Sequence, residues 1–322
     1  MVNRGYLMRS SIPRAFFRRT DIRLVGKCSR EKNLVAEKAR LRIALFTLEA
    51  LPNARAVRRF VADNAARIAF VGLSDPERPS TGGLTGQVRR HLGRSGPGFL
   101  PYLAVNFGLP DLARGLAPAT QALAGSRDVP EATPLRTLCR RLGLPHATIT
   151  DVNGPETTGH LRQHRADLIL SFHFDQIFDA ATLAAAPGGG LNVHPSLLPR
   201  HRGPVPTLHA LLDETPQFGV TVHRLAPEID AGGILAQETV ALPPDVTASR
   251  AAVLLHEAGR PLLERVLVEA ERSGALPEGR RVPVLPYCGF PSPAQLRDLK
   301  RRGRRLVDAG DLREALSLSL KP

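Results

Sequence analysis

"GGGLNVHPSLLPRHRG" spans residues 188–203, and its reading decides the rest of the chain. Three successive glycines suit neither a helix nor a strand interior. A His followed directly by Pro is pushed toward extended backbone. The segment reads as a tight turn, a short strand "GLNV", and a loop stiffened by Pro195 and Pro199 that ends at Gly203. Asn192 and His194 stand two apart on the extended part, so their side chains leave the same face. The stretch is built to hold two polar side chains at the end of a strand.

Outward from it, strands and helices alternate. Upstream, "RIALFT" (42–47) reads as a buried strand, "NARAVRRFVADNAA" (53–66) as an amphipathic helix, and "RIAFVGLSD" (67–75) as a second buried strand. "PLRTLCRRLG" continues as helix, "HATIT" as strand, 156–165 as helix, "ADLILSF" (166–172) as strand, and 179–186 as helix. Downstream come a helix near 204–213, strands over 218–225 and 232–240, and a long helix over 248–272. Such alternation predicts an α/β fold: a mostly parallel, Rossmann-like sheet with helices on both faces and right-handed crossovers. In these sheets ligands bind outside the carboxyl ends of the strands, at a topological switch point.

The chain has 322 residues and a formal net charge of +14, which invites nucleic acid or anionic membrane as a partner. The location of the charge argues otherwise. Residues 1–40 contribute +8 and residues 295–322 contribute +4, leaving +2 for everything between. Basic ends of this kind read as solvated tails. The expected organisation is a poorly ordered basic extension over 1–40, a catalytic domain over 41–273 with a Gly- and Pro-rich insertion at 76–130, and a Pro/Arg-rich extension over 274–322. Within the insertion, "FLPYLAVNF" reads as an apolar helix packed on the domain. Cys28, Cys139 and Cys288 are scattered and form no C-x-x-C pair, which points to reduced thiols in a cytoplasmic setting and to no metal site. No apolar run is long enough to span a bilayer, so no integral membrane association is expected. "TGGLTGQ" (81–87) lacks both dinucleotide and Walker spacing and is set aside.

A second polar cluster lies in "GVTVHRLAPEIDAGG". Thr221 and His223 alternate onto one face, and Asp230 follows in a tight loop ahead of Gly232 and Gly233. An Asn, a His and an Asp gathered at strand ends suit a reaction at a carbonyl carbon. Asn and protonated His can donate to an oxygen that becomes negative, and Asp can accept or relay a proton. No Ser or Cys sits in a G-x-S-x-G elbow, so the nucleophile has to come from the substrate. His223 reads as a structural partner and Ser196 as a turn residue. Arg202 and Gly203 read either as acceptor contacts or as a chain turn.

"LNVHPSLLPRHRG" followed by "GVTVHRLAPEIDAGGILAQ" resembles the folate-dependent formyltransferase family, over about residues 166–245 and more weakly over 41–75. The resemblance implies the formyltransferase fold and transfer of a formyl group from N10-formyltetrahydrofolate to an amine. It places Asn192, His194 and Asp230 on the family's catalytic positions. It places the pterin slot along Phe174, Asp175, Gln176, Ile177 and Phe178, and along Ala226, Pro227, Glu228 and Ile229. His173 reads as a folate contact or, in preference, as core. Asp175 and Gln176 depart from the apolar-then-Arg pair of some members, and His201 stands where an aromatic residue is frequent. Members that act on tRNA add a C-terminal barrel, and 274–322 is too short for one, so a small-molecule amine such as an amino sugar is the expected acceptor. A methionyl-tRNA formyltransferase without the usual C-terminal domain is the alternative, with the basic ends contacting tRNA. A formyltetrahydrofolate hydrolase is the third reading, disfavoured because the known ones carry a longer N-terminal domain.

Overall fold

The structure is a computed structural model that describes residues 40–75, 77–78, 82–110 and 130–318. The expectation of a poorly ordered stretch at 1–40 falls, except for Arg40, outside the described residues, as do 76, 79–81 and 111–129 of the 76–130 insertion.

Seven strands form one sheet in the order β3-β2-β1-β4-β5-β6-β7. They are β1 (Ile43–Thr47), β2 (Ile68–Ser74), β3 (His146–Ile149), β4 (Leu168–Phe172), β5 (Gly190–His194), β6 (Gly219–Arg224) and β7 (Ile234–Thr239). β3, β2, β1, β4 and β5 pair in parallel, whereas β6 and β7 run antiparallel. Every residue of β1, β2 and β4 is buried, as the unbroken apolar runs of central parallel strands require.

The helices are α1 (Ala54–Asp63), α2 (Gly83–Ser95), α3 (Leu100–Leu103), α4 (Leu135–Arg141), α5 (Pro155–Gln163), α6 (Ala180–Ala184), α7 (Pro206–Leu212), α8 (Ala248–Ser273), α9 (Pro293–Arg301) and α10 (Ala309–Ser317). A π-helical turn, Ala104–Gly108, follows α3. Alternate residues along each strand feed two cores. Ile43, Leu45, Leu168, Leu170, Leu191, Val193, Val220 and Val222 pack against α1, α4 and α8. Ala44, Phe46 and Ile169 pack on the other face against Leu161, Phe178 and Ala186. Gly259 lets α8 lie close on the sheet, since a Cβ there would collide with Val193 and Val220. Thr247 caps α8 by accepting from the Arg250 N–H at 2.9 Å, which satisfies one of the free donors at a helix start.

The basic C-terminal segment is not a solvated tail. Leu299 is buried in a cluster with Phe99, Tyr102 and Leu208, and Ala315 and Leu318 are buried against Leu51, Val105 and Val253. α9 turns Leu299 inward, whereas α10 buries Ala315 and Asp311, the latter accepting from Thr247 at 2.7 Å, and leaves Leu312 and Leu316 exposed. Leu41–Pro322 form one compact unit. The "FLPYLAVNF" stretch packs on the domain as expected, with Phe99, Tyr102 and Val105 buried.

Candidate active site

Asn192 and His194 lie on β5, the last parallel strand. β6 pairs with it in reverse, so Asn192 faces His223 and His194 faces Thr221 across the ladder. All four side chains share one face, opposite the one covered by α8. The loop after β6 then brings Asp230 back over them. Asp230 takes a left-handed backbone conformation, φ 51°. Gly232 follows because a side chain there would strike the Arg224 carbonyl.

The three predicted catalytic residues meet. The Asp230 carboxylate accepts from the Gly203 N–H at 2.9 Å and from Asn192 Nδ2 at 3.4 Å. It also lies 3.6 Å from His194 Nδ1 and 3.6 Å from His223 Nε2. His223 Nδ1 donates to its neighbour, the Arg224 carbonyl, at 2.8 Å. In neutral imidazole that leaves Nε2 as an acceptor, and Asn192 Nδ2 donates to it at 3.1 Å. His223 thus fixes which way the Asn192 amide points. The second Asn192 N–H is held only by the long contact to Asp230, so it is available to an incoming oxygen.

His194 Nε2 donates to the His201 carbonyl at 3.2 Å. Its Nδ1 then faces Asp230 Oδ2, and one proton between them satisfies both atoms. Burial lowers the His194 pKa, with Asp230 partly opposing the shift. For Asp230, burial pushes the pKa up, but the two imidazoles and the Gly203 N–H outweigh it and hold the carboxyl below the usual carboxylate range. A carboxylate that stays ionised beside a reluctantly protonated imidazole is a device for passing a proton.

The cluster lines a cavity of about 320 Å³. One wall is the segment after β4: Phe174, Asp175, Gln176, Ile177 and Phe178 all border it. Asp175 and Gln176 do so while their polar ends turn away. Asp175 binds Ser74 and, at 2.7 Å, Arg78. Gln176 accepts from the Val152 N–H at 2.9 Å and donates to the Ile149 carbonyl at 3.0 Å. The face offered to a ligand is therefore aromatic and backbone, with Phe174 tilted against Phe46 and Phe178 edge-on to it. Of the other predicted segment, Ala226 and Ile229 border the cavity, whereas Pro227 and Glu228 face an adjoining groove. The strand order reverses between β1 and β4, yet the cavity is centred one strand further on. It lies over β4, β5 and β6, where strand direction reverses and antiparallel pairing supplies His223.

Arg202 is turned inward. Its guanidinium donates to the Ile229 carbonyl at 2.9 Å, the Leu285 carbonyl at 2.6 Å and Glu228 at 3.0 Å. It ties the Asp230 loop to the C-terminal segment, and the Cys288 N–H returns a bond to the Arg202 carbonyl at 2.8 Å. Gly203 sits at φ 126°, and a Cβ there would meet the Cys288 carbonyl. That leaves Tyr287 and Phe290 as cavity walls. Neither stood out in the sequence, because they lie 57 and 60 residues past Asp230 in a segment with no motif of its own. His173 also lines the cavity, its Nδ1 bound to the Leu48 carbonyl at 3.1 Å. Ser196 serves as a turn residue, donating to the Arg200 carbonyl at 3.0 Å.

Among the described residues, no group of three or more His, Cys, Asp and Glu could hold a metal ion. None of the described helices is long and apolar enough to cross a membrane.

The chain is similar to known formyltransferases over part of its length. A family model described as Formyl transferase matches residues 110–267. A methionyl-tRNA formyltransferase from Methylobacterium sp. (strain 4-46) is 37% identical over 142 residues, 44% of this chain and 46% of the relative. One from Roseiflexus castenholzii is 37% identical over 153 residues, 48% of this chain and 49% of the relative. The matches thus span about half the length of these relatives. Glycinamide ribonucleotide transformylase 1 from Symbiobacterium toebii is 18% identical, covering 77% of this chain and 95% of that one at a TM-score of 0.49. Residues 110–267, which hold Asn192, His194 and Asp230, thus match the folate-dependent formyltransferase family.

Proposed function

We propose that the chain transfers a formyl group from N10-formyltetrahydrofolate to a primary amine. The observation that carries this reading is the meeting of Asn192, His194 and Asp230 in one cavity, with Asp230 3.4 Å from the amide and 3.6 Å from the imidazole. The residues present fit a flat heteroaromatic donor: Phe174 and Phe178 form an aromatic wall, and the polar ends of Asp175 and Gln176 are spent elsewhere. When bound, the donor supplies an electrophilic formyl carbon.

The chain's own groups do the rest. The amine attacks with its lone pair, and the Asn192 N–H held only by the 3.4 Å contact to Asp230 turns to the carbonyl oxygen as it becomes negative. Such a donor contributes about 3–4 kcal/mol to the barrier. The imidazole of His194 can add a second donor once its Nε2–H leaves the His201 carbonyl. Asp230 accepts the proton that the amine sheds and hands it to His194 Nδ1, while the Nε2 proton of His194 goes to the departing folate nitrogen as the carbon–nitrogen bond breaks. The products are an N-formyl amine and tetrahydrofolate, and the proton count closes.

A small amine is the acceptor we favour, because Tyr287 and Phe290 wall the cavity from the C-terminal segment and leave a space of about 320 Å³. The relatives' names supply the second reading, methionyl-tRNA. The test offers N10-formyltetrahydrofolate with glycinamide, D-glucosamine or methionyl-tRNA and follows tetrahydrofolate release by absorbance. Amine-dependent release is expected. Release with water alone would make the protein a hydrolase, and no release with any acceptor would remove the reading.

A further inference from the structure

His256, on α8, borders the same cavity and plays no part in the mechanism above. Its Nδ1 donates to the Ala252 carbonyl one turn back at 2.7 Å. That bond takes the single proton of a neutral imidazole, so Nε2 at the far corner of the ring is a bare lone pair. The residue is 1% exposed, and among the described residues Nε2 has no hydrogen-bond partner. The ring is held by Phe172 at 5.6 Å and stands edge-on to His173 at 5.3 Å. Burial and the neighbouring His173 push its pKa down to about 3, so near neutral pH it accepts a hydrogen bond but takes no proton.

A buried acceptor with no donor is costly, and proteins keep few of them. This one sits beside His173 and borders the cavity that His194 also lines. The attacking amine must reach the formyl carbon next to His194, so an amine N–H is the donor that arrives there. Accepting it would hold the nitrogen with its own lone pair free for attack. Resting on the formyltransferase reading, we infer that His256 is a specificity-determining residue whose Nε2 accepts a hydrogen bond from the acceptor amine.

The experiment uses the full chain labelled with ¹⁵N-histidine, saturated with 5-formyltetrahydrofolate as a donor analogue and titrated with glycinamide and with D-glucosamine. The Nε2 resonance of His256 is expected to move upfield as the amine binds, while Nδ1 stays in place. In turnover, His256→Phe is expected to raise the acceptor KM about tenfold with donor affinity unchanged. His256→Gln, which keeps an acceptor oxygen, should recover most of that loss. Thermal melting shows whether the Phe variant is folded; if it is not, the resonance shift and the Gln variant decide. An unmoved resonance with both amines, or a Gln variant as impaired as a folded Phe variant, overturns the inference. Failure of wild-type protein to bind 5-formyltetrahydrofolate would instead remove the formyltransferase reading, and this inference with it.

Discussion

Residues 190–194 and 174–178 border one cavity and spend their polar side chains in opposite directions. Asn192 and His194 turn toward the cavity and find Asp230 and His223 there. Asp175 and Gln176 turn back to the ends of β2 and β3 and bind Ser74, Arg78, Val152 and Ile149. The first region carries side-chain chemistry, and the second is a scaffold that shows aromatic rings and backbone to a ligand. Identical residue types would have different consequences if exchanged between the two.

Substitution can break that contrast. Asp230→Asn keeps the shape and removes the proton acceptor, so kcat should fall about 10²–10⁴-fold while binding of 5-formyltetrahydrofolate, read by fluorescence, stays near wild type. Wild-type turnover would end the assignment. Arg202→Met leaves the Ile229 and Leu285 carbonyls without their donor, which should cost about 2–3 kcal/mol of stability in urea melts. It should also lower kcat, because the Asp230 loop loses its tether. Arg202→Lys should not restore it, since an ammonium cannot match the guanidinium fork.

Acid sharpens the comparison further. Burial lowers the pKa of His173, His194 and His256, the last to about 3. The unfolded chain takes protons at these positions below about 6.5, and the folded chain resists until well below that. Stability should therefore be level above about pH 7 and decline as pH falls toward 4, with His256→Gln showing a shallower decline in melting temperature. Asp230 adds little above about pH 5, because its depressed carboxyl gives up stability as pH falls from the ordinary carboxylate range toward its own lower pKa. The smallest effect is expected at the scaffold: Asp175→Asn should leave kcat within about twofold and cost at most about 1 kcal/mol, the usual worth of a partly exposed ion pair.

Much of this was legible in the sequence. The seven strands stand out as short apolar runs, and α8 as a long amphipathic one, because central strands and a sheet-covering helix leave no choice of residue. The site's polar heart was legible too, since N-x-H alternation puts Asn192 and His194 on one face and the Asp230 loop carries its own glycines. What stayed hidden depends on long-range packing. Tyr287, Phe290 and His256 reach the cavity only because Arg202 draws in the C-terminal segment and Gly259 lets α8 settle on β5 and β6. Leu299, Ala315 and Leu318 are spaced too widely among arginines to announce a buried face. The direction of the Asp175 and Gln176 side chains has no signature in residue type at all.

The reversal of direction at β6 carries a consequence for how this chain tolerates change. Asn192 has His223 as its partner only because the antiparallel pairing of β5 and β6 sets 192 against 223 and 194 against 221. Inserting or deleting one residue between α7 and β6 would offer Asn192 a valine or an arginine instead, and would swing every β6 side chain to the opposite face. Length variation among descendants of this sequence should therefore be excluded from the turn at 213–218, even where its individual residues drift freely.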